Sequence, residues 1–120
     1  MNGESRLTEN ERQALTVFVQ RLSAHCGDHV ESVRLFGSKA RGDASPQSDL
    51  DVVVALNSDD PAVIWEVRLL ASRVSLEYDL LLSVRAIGSS QWRELSRYRF
   101  PLYQAIQSEG IDLTQMSVGG

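Results

Sequence analysis

At 120 residues, 42% hydrophobic and 23% charged, the chain has the size and composition of one globular domain, and disorder is not expected outside its ends. A formal net charge of −4 gives no general basic field, so direct nucleic-acid binding is not expected. One cysteine, Cys26, excludes an internal disulfide, and the absence of a leader-like opening or of roughly 18 consecutive apolar residues argues against secretion or a membrane span; the expected location is the cytoplasm.

Thr8 and Glu11 have the spacing of a capping box, and Ala14, Leu15, Phe18 and Leu22 follow at helical intervals. A helix is predicted over about 9–26, with Gly27 as its stop. Residues 30–36 are rich in strand formers and end at Gly37-Ser38. After a loop containing Ala44-Ser45-Pro46-Gln47-Ser48, residues 49–56 read as a strand whose VVVA run suggests cover on both faces. Pro61 suits the first helical position, and a helix is predicted over 62–72. A third strand is predicted over 75–84, with Glu77, Asp79, Leu81 and Ser83 on one face. Ser89 to Tyr98 reads as a helix, Pro101 restarts it, and Gly110 ends it. The order αβ(turn)βαβα predicts an α/β (α+β) domain with a small mixed sheet over 1–115, and 116–120 as a disordered tail.

The chemistry concentrates in FGSKARGDASPQSDLDVVV, residues 36–54. Asp49 and Asp51 are two apart on a strand, so both carboxylates aim at one side. Held together they repel unless a cation sits between them, and magnesium suits such hard oxygen donors. Asp79 on a neighbouring strand could complete a three-carboxylate cluster, with Glu77 on the same face as an alternative. The Gly37-Ser38 turn offers backbone N–H groups and a hydroxyl to phosphate oxygens. A P-loop is excluded, because Asp43 and Ala44 follow Gly42 where Lys and Ser/Thr would be needed.

Several other groupings read as ordinary structure. His25, Cys26 and His29 straddle the helix stop and lack a fourth ligand, so a frayed helix end is favoured over a metal site. Trp92, Arg93, Arg97, Tyr98 and Arg99 read as an amphipathic helix with snorkelling arginines rather than a nucleic-acid surface.

Phe36-Gly37-Ser38, ten residues, then Asp49-Leu50-Asp51-Val52 resembles the signature of the DNA polymerase β-like nucleotidyltransferases. More narrowly, GSKARGDASPQSDLDVVV and the later PLYQAIQSEGIDL are similar to minimal nucleotidyltransferase (MNT) domain proteins, many of them antitoxins of HEPN-domain toxins. The resemblance implies a polymerase β-like fold and transfer of AMP from ATP to a hydroxyl, such as a tyrosine of a HEPN partner in a hetero-oligomer. It implies two magnesium ions, replaceable by manganese, on Asp49 and Asp51, with Asp79 as third ligand and help for deprotonation. Gly37 and Ser38 would hold the β- and γ-phosphates, and Arg41 would neutralise phosphate charge. Two alternatives stay open: an MNT-fold antitoxin that binds its partner without catalysis, and transfer to a small molecule such as an aminoglycoside.

Overall fold

A computed structural model describes residues 7–37 and 49–113. Helix α1 (Glu9–Cys26) opens on the expected capping box: Glu11 N–H donates to Thr8 Oγ1 at 3.0 Å, and Thr8 N–H donates to Glu11 Oε1 at 2.9 Å. A 3₁₀ turn (Gly27–His29) leads into strand β1 (Val30–Phe36), and strand β2 (Leu50–Leu56) follows. Helix α2 (Pro61–Tyr78) starts with proline in its first turn, and the Asp60 carboxylate accepts from Ala62 N–H at 2.9 Å. Strand β3 (Leu82–Ile87), helix α3 (Ser89–Tyr98), helix α4 (Pro101–Glu109) and a two-residue strand β4 (Ile111–Asp112) complete the order.

The sheet runs β3-β2-β1-β4, with β1 antiparallel to β2 and β4, and β2 parallel to β3. The parallel pair is joined by α2, as parallel neighbours need a long crossover. This mixed sheet with its helices is the α/β fold expected from the sequence. Because side chains alternate, Val52 and Val54 face one helical layer, where they pack with Phe18 and Leu22 of α1 and Leu70 and Val74 of α2. Val53 faces the other layer and packs with Ile87, Leu95 and Ile106. Strand β2 is thus covered on both faces, and from Val52 to Leu56 every residue is buried.

One predicted element is misplaced. The strand expected over 75–84 is instead the end of α2 and a tight turn; β3 starts only at Leu82. Val67, Leu70, Ala71 and Val74 are buried at helical spacing, and that stripe carries the helix past Ser72. Asp79 ends it in the left-handed region at φ 53°, with Leu80 N–H donating to the Ser75 carbonyl at 3.2 Å. The Ser75 hydroxyl also accepts from Leu82 N–H at 3.0 Å, tying the turn to the start of β3. The alternation of SLEYDLLLSV imitates a strand, but packing of α2 on the sheet decides the outcome.

At the end of α1 the chain passes directly from Cys26 into the 3₁₀ turn. Cys26 is buried and free at the end of α1, and His25 is exposed. Trp92 packs edge-on to Tyr103 at 5.5 Å in the second core, while Tyr98 stays exposed with the Arg97 guanidinium over its ring. Among the described residues no helix is long and apolar enough to cross a membrane.

Asp59 secures the start of α3 from a distance. Its carboxylate accepts from Ser90 Oγ at 2.6 Å and from Ser90 N–H at 2.9 Å. Those bonds, the hydroxyl one foremost, hold its pKa below the ordinary carboxylate value. The stabilisation is therefore full above that ordinary value and is lost as pH falls through the lower folded value. Asp59→Ala is expected to lower the melting temperature at pH 7, with the gap from wild type closing in acid; thermal melts from pH 7 to pH 2 check this. In the main core, Leu70→Ala is expected to cost about 2–5 kcal/mol in urea unfolding.

Candidate active site

The site forms where β1 ends and β2 begins. Phe36 pairs with Asp51 across the antiparallel ladder, so Gly37, the next residue, turns directly over the Asp51 side chain. Gly37 has φ 80°, and a Cβ placed there would lie 2.7 Å from Asp51 Oδ2. Both facts demand glycine: the left-handed conformation penalises a side chain, and the carboxylate occupies the space that side chain would need.

Asp49 stands exposed just before β2, and Asp51 is half-buried on it. Burial, first, and then the neighbouring charge of Asp49 push the Asp51 carboxyl above its ordinary pKa, while Arg85 opposes them. These carboxylates are hard oxygen donors whose repulsion a divalent cation would relieve, so they fit magnesium. Ser38 and Arg41, the other expected phosphate contacts, lie outside the described residues.

Asp79 is not where the sequence placed it. It caps α2 rather than standing on a strand beside Asp51. Among the described residues no three Asp, Glu, His or Cys side chains are grouped to hold a metal ion, so Asp79 does not join the pair. The alternative, Glu77, is engaged elsewhere: both its oxygens accept from the Arg21 guanidinium of α1 at 2.8 Å. The residue that faces Asp51 across the parallel ladder is Ser83, with Arg85 two residues on along the same face.

Sequence reasoning missed the cavity these residues form. About 260 Å³ in volume, it is lined by Phe36 and Asp51, by Ser83 and Arg85 of β3, and by Arg68 of α2. The available signal was Ser83 and Arg85 alternating with apolar residues in LSVRAI. It can be read only once β3 is known to begin at Leu82. Arg68 carries no such signal, because its neighbourhood depends on how α2 crosses the sheet.

Known proteins resemble this chain in both sequence and fold. A family model described as "Nucleotidyltransferase domain" matches residues 12–103. Two proteins of Methanocaldococcus jannaschii are similar in sequence. "Putative protein adenylyltransferase MJ0141" is 40% identical over 68 residues, covering 55% of this chain and 68% of that protein. "Putative protein adenylyltransferase MJ0604" is 28% identical over 101 residues, covering 84% of this chain and 95% of that protein. Among solved structures, a toxin–antitoxin crystal structure with AMP-PNP superimposes with a TM-score of 0.53 at 21% identity, over 87% of this chain and 82% of that one. A mutant of the toxin–antitoxin MntA-HpeT gives 0.52 at 20% identity with the same coverage, 87% and 82%.

Asp51→Asn gives a direct check of the electrostatics. A carboxyl whose folded pKa is raised weakens folding as pH climbs from its ordinary value through the folded one, and the loss is complete above that. Metal-free Asp51→Asn protein is therefore expected to melt higher than wild type at pH 7, with the difference vanishing in acid. Gly37→Ala is expected to lose about 1–2 kcal/mol from backbone conformation alone, and more from the contact with Asp51, in urea unfolding.

Proposed function

The chain belongs to the nucleotidyltransferase domain family of enzymes, and from that premise we propose that it moves AMP from ATP to a hydroxyl of a partner protein. The acceptor in this reading is a tyrosine of a HEPN-domain toxin, and the chain acts as that toxin's antitoxin in a hetero-oligomer. The observation that carries the proposal is the Gly37 turn lying against the Asp51 carboxylate. In this reading one triphosphate would meet both the backbone N–H groups of the turn and a carboxylate able to hold a cation. The names of the archaeal relatives support protein as the acceptor. The toxin–antitoxin neighbours, one of them with AMP-PNP, support the partner and the nucleotide. In this reading the reaction runs in the cytoplasm, where ATP and magnesium are available.

Asp49 and Asp51 would hold magnesium, with manganese able to replace it, and the remaining donors would come from phosphates and water. Bound there, the cation supplies positive charge to the phosphates. Gly37 and Ser38 would seat the β- and γ-phosphates, and Arg41 would add charge from the same loop. The acceptor oxygen attacks the α-phosphorus as the bond to the bridging oxygen breaks. Pyrophosphate leaves with that electron pair, and the acceptor proton passes to a carboxylate or water at the site.

One observation favours a second reading, a non-catalytic antitoxin of the same fold. The β3 position beside Asp51 holds Ser83 rather than a carboxylate. Only Asp49 and Asp51 among the described carboxylates then remain to hold a cation, and stoichiometric binding needs neither.

Incubation with α-labelled ATP, magnesium and the co-encoded partner separates the two. Transfer of label to the partner is expected, with Asp49→Asn and Asp51→Asn each reducing the rate by at least about a hundredfold, as loss of a metal ligand should exceed loss of a supporting contact. An unlabelled partner that is still inhibited by the Asp49→Asn/Asp51→Asn protein would establish the binding reading instead.

A further inference from the structure

The two flanks of Asp51 differ in a way that the family reading does not explain. On the β1 side stands the Gly37 turn; on the β3 side stand Ser83 and Arg85, since β2 lies between those strands. Strand β3 is the edge of the sheet. Around that edge Arg68, from the helix layer on the opposite face, reaches the same cavity as Arg85. Both arginines are solvent-exposed, and neither forms a salt bridge with a described residue. Arg68 and Arg85, from separate elements, line one cavity of about 260 Å³ with Ser83, and guanidinium and hydroxyl groups are donors suited to phosphate oxygens.

We propose that Arg68, Arg85 and Ser83 form a seat for the phosphate of the transferred nucleoside monophosphate, distinct from the pyrophosphate seat at the Gly37 turn. The inference rests on the nucleotidyltransferase reading for the identity of the ligand. A triphosphate laid across Asp51 has two ends. If the turn takes the terminal phosphates, the arginines on the other flank meet the α-phosphate. They would hold it before transfer and would bind free AMP as a product-like ligand. Arginine supplies this charge without a metal, so the seat works where Asp49 and Asp51 hold no cation.

Calorimetric titration in EDTA at low salt, with AMP, inorganic pyrophosphate and adenosine as probes, tests the seat. Arg68→Ala and Arg85→Ala are each expected to weaken AMP binding about fivefold or more, and together by well over tenfold, the scale of lost charge-assisted hydrogen bonds. Arg85→Lys should restore part of the loss, since lysine keeps charge but not the fork. Pyrophosphate binding should change less than about twofold, because a flank on the other side of Asp51 would hold it. Failure of wild type to bind AMP at millimolar concentration would overturn the proposal. So would AMP binding indifferent to both arginines, or an equal loss for pyrophosphate or for adenosine. An unchanged circular dichroism spectrum and a melting temperature well above that of the titration exclude loss of fold as the cause. The outcome is separable from the fate of the enzyme reading, because no probe is turned over. Arginine-dependent AMP binding can survive failure of label transfer, and full transfer by the Arg68→Ala/Arg85→Ala protein would remove the seat while leaving the enzyme intact.

Discussion

Strand β2 is hydrogen-bonded on both edges and covered by helices on both faces, and the position of Asp51 depends on that enclosure. A strand buried from Val52 to Leu56 cannot slip by one residue without turning its core side chains to the wrong layer. Its register against β1 and β3 is therefore pinned by packing far from the chemistry. The consequence at the open end is that Asp51 meets Phe36 on one side and Ser83 on the other. The Gly37 turn then has only one place to go, over the carboxylate.

The site keeps its acidic pair at a cost to the fold. Burial and Asp49 both oppose ionisation of Asp51, and Arg85 offsets them only in part. An arrangement that disfavours its own charge in the free protein would be relieved by a bound cation, and perturbed carboxyls of this kind gather at functional sites. The same logic accounts for glycine at position 37, where both the positive φ and the nearness of Asp51 exclude a side chain.

Arginine and acid are divided between the flanks of the pair. The third carboxylate anticipated from the resemblance is absent from β3, where Ser83 and Arg85 stand. The shift from an anticipated acidic side chain to a hydroxyl and a nearby arginine changes what that flank presents beside Asp51. That shift does not alter the fold, because both side chains lie at the edge of the sheet and neither belongs to a core.

Local signals carried much of the architecture. The capping box, the strand over 30–36, the proline starts of α2 and α4 and the end of α4 near Gly110 follow from short-range chemistry, and the structure has each of them. Asp49, Asp51 and Gly37 were legible because their spacing around a turn and strand is itself local. Asp79 was misplaced because SLEYDLLLSV alternates like a strand, while long-range packing of Val67, Leu70 and Val74 keeps that chain helical until Tyr78. The two-residue strand β4, the engagement of Glu77 by Arg21 and the meeting of Arg68 with Arg85 were likewise decided only in three dimensions. Sequence determines which residues can turn, cap or alternate; which strand becomes the neighbour of Asp51, and in what register, depends on how α2 crosses the sheet and buries its apolar stripe.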